Sequence, residues 1–221
     1  MQRTRIKICG VMRPEDAIIA AEAGADAIGI NFYSKAKRSV DVETARKIIE
    51  VLPPFVTPVG LFVNATAQEV QNIAEDLRLR HVQLHGDETP EMVARLDSYV
   101  VLKAIGTDRD TLPKELAMWK AAKLPQLRGL LLETPNTGVP GGSGIENDWQ
   151  MIAEFQRAGL FAGGPSIIAA GGLNPGNVAK VIHLLNPWGV DVSSGVEKSF
   201  GQKSPEIIRA FVKQVQFADE I

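Results

Sequence analysis

The sequence predicts a single domain over residues 1–221, an α/β fold of the (β/α)8 TIM barrel type. Three observations lead there. A short β-rich run, a turn and a helix-period segment recur eight times in order. Eight such units leave about 28 residues each, near the compact end for this barrel. Several strands also carry polar residues on one parity only. A doubly wound open sheet alternates strands and helices too, but the count of eight and the polar parity favour a closed barrel.

Taken in order, the first strand, 4–9, sets Ile6 and Ile8 on one face and Arg5, Lys7 and Cys9 on the other, and Gly10 lets the chain turn. A helix over 14–23 opens at Pro14 and closes at Gly24, a residue suited to a left-handed cap. Strand 26–31 and helix 41–52 follow, then strand 56–63 and helix 66–77, where Thr66 and Glu69 have capping-box spacing. In strand 80–84, Val82 and Leu84 oppose His81, Gln83 and His85. Helix 89–97 opens at Pro90, and in strand 99–105 Leu102 and Ala104 oppose Lys103. Helix 111–121 leads to strand 129–133, where Leu130 and Leu132 oppose Glu133. Helix 148–158 ends before Gly159. Strand 166–170, helix 174–185 with Pro175, strand 189–192 and helix 204–217 with Pro205 complete the set, and Asp191 opposes Val190 and Val192.

The polar parity of five strands is expected to face the barrel axis and converge on the C-terminal mouth, where barrel enzymes keep their chemistry. Cys9, the only cysteine, ends one of these strands. On the residues alone it is a candidate reactive group, while a small packing residue is the commoner part for a free cysteine.

Two glycine-rich turns follow the last strands: Ala170-Gly171-Gly172-Leu173-Asn174-Pro175 and Asp191-Val192-Ser193-Ser194-Gly195. Glycine lets backbone N–H groups approach an anion closely, and serine hydroxyls add donors. Gly171, Gly172, Ser193, Ser194 and Gly195 therefore form the expected phosphate site, in the loops where this barrel usually has one. A third glycine-rich segment, 137–144, reads as a substrate-covering lid or a surface loop.

Composition narrows the partners. A net charge of −2 gives no footprint for nucleic acid or an anionic membrane surface. No apolar run reaches the roughly 18 residues of a membrane span. One cysteine cannot form an internal disulfide, so a cytoplasmic setting is expected. His81, His85 and His183 lack a cysteine or carboxylate cluster to complete a metal site. Trp119, Trp149 and Trp188 read as packing residues.

With these residues in view, the chain resembles phosphoribosylanthranilate isomerase. The resemblance rests on Lys7-Ile8-Cys9-Gly10, Asn31-Phe32-Tyr33 through Lys37-Arg38, Val59 to Asn64, and Val82-Gln83-Leu84-His85-Gly86. It continues through Gly141-Gly142-Ser143-Gly144 with Asp148-Trp149, Ala170 to Pro175, and Gly189 to Glu197. These segments span nearly the whole chain. The resemblance implies a cofactor-free Amadori rearrangement of N-(5-phosphoribosyl)anthranilate to 1-(2-carboxyphenylamino)-1-deoxyribulose 5-phosphate. It carries the general base to Cys9 and the carboxylate-binding arginine to Arg38. Gln83 and Asp191 are expected to line the substrate, and Lys7 or Lys103 to favour the thiolate.

One departure stands out. The family's strand-six aspartate, the general acid, falls on Glu133, and the loop after it is about one residue longer. Glutamate has a similar reference pKa but a different reach. Asp191 is the reserve acid. Another phosphosugar barrel of the same pathway, or a barrel that binds without turnover, are the alternative functions, and monomer and homodimer are both open.

Overall fold

The computed structural model describes residues 3–134 and 146–220, so the glycine-rich segment 137–144 lies outside the described residues. Eight parallel strands close into a barrel in chain order: β1 (Arg5–Ile8), β2 (Ala27–Asn31), β3 (Thr57–Phe62), β4 (His81–Leu84), β5 (Val100–Gly106), β6 (Leu127–Glu133), β7 (Ser166–Ala169) and β8 (Gly189–Val192). The seam forms where β1 pairs with β8, setting Lys7 opposite Asp191 and Ile8 opposite Val192. The outer ring is α1 (Pro14–Ala23), α2 (Val42–Glu50), α3 (Ala67–Asp76), α4 (Pro90–Ala94), α5 (Leu112–Ala121), α6 (Trp149–Arg157), α7 (Val178–Leu185) and α8 (Pro205–Asp219).

Local chemistry accounts for the helix ends. Thr66 and Glu69 form the expected capping box, while Asp41, Thr89, Asp148 and Ser204 each accept from a first-turn amide. Pro14, Pro90 and Pro205 open their helices, where the missing N–H costs nothing. Gly24 takes the left-handed cap of α1 at φ 106°. Pro175 departs from the pattern: α7 starts only at Val178. Asn174 accepts from Gly176 N and Asn177 accepts from Asn174 N, so side-chain turns occupy what the sequence reads as a first helical turn.

Strand parity separates two packing regions. Ile6, Ile8, Val82, Leu84, Leu130, Leu132, Val190 and Val192 pack outward under the helices. Ala104, Leu131, Ile168 and Ala170, with Leu102 beside them, pack inside the barrel, as do Cys9, Leu61 and Val63. The fifth strand corrects the sequence reading. Leu102 and Ala104 face the axis, so Lys103 points outward with Val101 and Ile105. Its burial there is offset because its ammonium donates to Gly86 O and Ala104 O and pairs with Glu88.

Inward polar residues also divide between the two ends. Arg5 and His81 sit low on their strands and line a cavity of about 540 Å³ at the N-terminal end, beside Arg128 and Trp188. Cys9, His85, Glu133 and Asp191 lie later on theirs. Trp119 and Trp149 are buried packing residues, whereas Trp188 is partly exposed.

Beyond β8, a short 3-10 turn (Ser194–Val196) leads into an antiparallel ribbon, β9 (Glu197–Ser199) and β10 (Gln202–Lys203). The alternating sequence pattern gives no sign of it, because neither strand is long enough to carry a period.

Candidate active site

The end of β1 brings together a thiol, an amine and a carboxylate. Lys7 and Asp191 are register partners across the seam, and Lys7 Nζ donates to Asp191 Oδ1 at 2.7 Å. Both are buried. Cys9 follows two residues after Lys7 on the same parity, with its own N–H donating to Val192 O at 2.8 Å. Gly29 of β2 makes room for the cluster: a Cβ there would lie 2.7 Å from Cys9 Sγ and 3.0 Å from Lys7 Nζ.

Electrostatics bind these groups into one unit. Burial disfavours the Lys7 ammonium, yet the neighbouring Asp191 carboxylate and Cys9 more than offset this and hold it charged. Burial pushes the Cys9 thiol up, with Asp191 adding to the rise, while the charge and hydrogen bond of Lys7 and the charge of Lys203 pull against it. Of the two lysines expected to favour a thiolate, Lys7 does so. Lys103, facing outward, does not, and Lys203 takes the second place.

Glu133 ends β6 across the mouth. Its carbonyl accepts from Thr107 N and Thr107 Oγ1, both at 3.1 Å. Asn147, paired with Thr107, donates to Leu132 O and Ala170 O and so ties the ends of β6 and β7 together. The Glu133 carboxylate meets His85 Nε2. On its other side the His85 ring reaches Gln83 Nε2, 3.1 Å from Nδ1. Gln83 is wholly buried on the inward parity of β4. Its amide is turned to His85.

The two glycine-rich turns come together beside this carboxylate. Glu133, Ala170, Gly171, Gly172, Leu173, Asp191, Val192, Ser193, Ser194 and Gly195 line one pocket. All five residues expected to hold phosphate are therefore neighbours, and the two carboxylates sit among them. Gly171 and Gly172 take φ of 92° and 66°, values closed to most side chains. Gly195 packs so closely that a Cβ would lie 1.9 Å from Leu173 O. The turns are glycine-rich partly to pack on each other.

Arg38 reaches the same rim. Its aliphatic stem lies over Gly10, where a Cβ would come 2.7 Å from Arg38 Cδ and 3.0 Å from Ser193 Oγ. Its guanidinium makes a two-pronged pair with Glu197, Nε to Oε1 at 2.7 Å and Nη2 to Oε2 at 2.8 Å, and packs on Phe200. Lys203 Nζ donates to Ser193 O and Glu197 Oε1. Burial raises the Glu197 carboxyl, but Arg38 and Lys203 outweigh that and hold it below the usual carboxylate range.

Sequence reasoning missed Glu197 and Lys203 as site builders, because their hairpin has no pattern of its own. It set His85 on the face expected to point inward, yet considered a role for it only as a metal ligand. The available signal was parity, since His85 continues the inward series His81, Gln83, His85 to the top of β4.

Comparison with known proteins gives the family and the fold. The family described as N-(5'phosphoribosyl)anthranilate (PRA) isomerase matches residues 6–214. The N-(5'-phosphoribosyl)anthranilate isomerase of Pseudomonas fluorescens (strain SBW25) is 46% identical over 219 residues, spanning 98% of this chain and 97% of its own. The phosphoribosyl anthranilate isomerase structure from Thermotoga maritima gives a TM-score of 0.85 at 35% identity, covering 97% of this chain and 99% of its own. Another phosphoribosyl anthranilate isomerase structure, in complex with reduced 1-(o-carboxyphenylamino)-1-deoxyribulose 5-phosphate, gives 0.82 at 35% identity, with the same coverage of 97% and 99%.

Proposed function

The chain belongs to the N-(5'-phosphoribosyl)anthranilate isomerase family, and from that premise we propose which of its side chains carry the reaction. It is an aldose–ketose isomerase of tryptophan biosynthesis, converting N-(5-phosphoribosyl)anthranilate to 1-(2-carboxyphenylamino)-1-deoxyribulose 5-phosphate. The observation that carries the residue assignment is the single pocket in which Glu133 and Asp191 adjoin both glycine-rich turns, with Cys9 two residues from the lysine that holds Asp191.

Gly171, Gly172, Ser193, Ser194 and Gly195 hold the 5-phosphate, which anchors the sugar over the barrel mouth. Glu133 protonates the furanose ring oxygen. The C1–O bond then breaks, its electron pair stays on that oxygen, and the nitrogen lone pair forms a protonated Schiff base. Cys9 removes the C2 proton, whose acidity the Schiff base raises, and the resulting enol relaxes to the ketone. Burial keeps the free thiol protonated, so the Lys7 charge has to assist its ionisation once substrate is bound. Asp191 serves as the fixed counter-ion of Lys7 and lines the sugar.

Arg38 binds the anthranilate carboxylate. Glu197 and Phe200 fix its plane, and Nη1 is the edge left to meet the substrate. A cytoplasmic setting suits an active-site thiol that must stay reduced, and a monomer or homodimer completes the reading. The test is turnover of N-(5-phosphoribosyl)anthranilate by the purified chain beside Cys9→Ala. Activity lost in the variant supports the assignment, and equal rates refute it.

A further inference from the structure

At the acid end of the site, three side chains stand in line. Gln83 lies under His85, and His85 Nε2 meets Glu133 Oε2. The line bridges β4 to β6 over the intervening β5, a span that the long glutamate side chain can cover. Its ends are held. Glu88 accepts from Asn64 N at 2.8 Å and Gly86 N at 2.9 Å, Lys103 donates to Gly86 O, and His85 N donates to Phe62 O. The outward Lys103 thus clamps the turn that carries His85. Thr107 and Asn147 hold Glu133 from the other side.

We propose that His85 is a positioning residue that supplies Glu133 with the proton it delivers, so that the His85–Glu133 couple works as one general acid. This rests on Glu133 being the acid. A lone carboxyl, with a reference pKa near 4.3, is ionised at neutral pH and has little to donate. Histidine is the residue type that titrates in that range, and a general acid works best when its pKa is near the working pH.

Gln83 supplies an independent observation. Its Oε1 is buried with no hydrogen-bond partner among the described residues. With the amide turned over, Oε1 accepts from the Nδ1–H of the imidazolium and of the Nδ1–H imidazole left after the transfer, and with the amide as found, Nε2 donates to the bare Nδ1 of the other neutral tautomer. One side chain can satisfy either protonation state.

The proton count closes. The imidazolium gives its Nε2 proton to Glu133 Oε2, and the carboxylic acid passes it to the ring oxygen as the C1–O bond breaks. A carboxylate and an Nδ1–H imidazole remain, and one proton from water restores Nε2. Several charged groups face the couple. Asp191 lies across the pocket from β8, Lys7 and Cys9 stand on β1, and Glu88 and Lys103 sit behind the His85 turn.

The test is His85→Gln, which keeps a donor toward Glu133 but cannot titrate. Its kcat at neutral pH is expected to fall at least about tenfold with KM little changed. The ratio of variant to wild-type kcat should decline as pH rises from about 5 to 7.5, because histidine holds its proton where a carboxyl has lost it. Full activity, or a loss equal at every pH, overturns the proposal in favour of simple orientation. A second readout needs no turnover. In 15N-histidine spectra, Glu133→Gln should move the His85 Nε2 resonance, and an unmoved resonance also overturns the couple. If Glu133→Gln itself keeps wild-type kcat, the assignment of the acid has failed, which is a separate outcome from a flat pH ratio in His85→Gln.

Discussion

Lys7 and Asp191 meet at 2.7 Å across the seam that closes the barrel, where their backbones are direct register partners. The same contact joins the sheet and sets the charge beside Cys9. Removing one partner leaves a buried charge without its counter-ion, so Lys7→Met should cost about 3–5 kcal/mol in urea denaturation. Replacing both together should cost much less.

The pair also governs the thiol. Lys7→Met should move the pH midpoint of Cys9 alkylation upward, since the lysine charge stabilises the thiolate. Asp191→Asn should move it downward, since the carboxylate disfavours the thiolate. Rates of iodoacetamide labelling across pH read both directions.

The phosphate turns make a steric prediction. Gly195→Ala drives a methyl group into Leu173 O, so the two turns must separate. We expect a stability loss of about 1–3 kcal/mol and a KM rise of roughly tenfold or more, with a smaller effect on kcat. Steady-state kinetics beside a thermal melt separate these.

Much of this was legible in the residues. Repetition and strand parity lead to the barrel, and the glycine-rich turns land in one pocket because their places in the strand order determine their neighbours. Lys103 is the exception, because alternation gives two faces without saying which is inward, and a lysine on the outer face looks anomalous until Glu88 and the Gly86 carbonyl are beside it. The Arg38–Glu197 pair, 159 residues apart, and the hairpin carrying Lys203 left no periodic signal. Tertiary contact alone makes them partners.

That pair predicts an acid-sensitive rim. Glu197 is held below the usual carboxylate range by Arg38 and Lys203 against the effect of burial. A depressed folded-state pKa contributes stability above the unfolded value, about 4.3, and loses it as pH falls through the folded value. Arg38→Ala should therefore flatten the stability–pH curve below about pH 4.3 and, by removing the carboxylate contact, raise KM for the substrate. An unchanged KM would remove Arg38 from that role.

The central claim is that Glu133 stands where the family uses an aspartate and performs the same protonation. Measurement of kcat and KM for Glu133→Gln with N-(5-phosphoribosyl)anthranilate tests it most directly. We expect kcat to fall at least about a hundredfold while KM changes little. A variant that turns over at close to the wild-type rate would contradict the account and return the acid to Asp191.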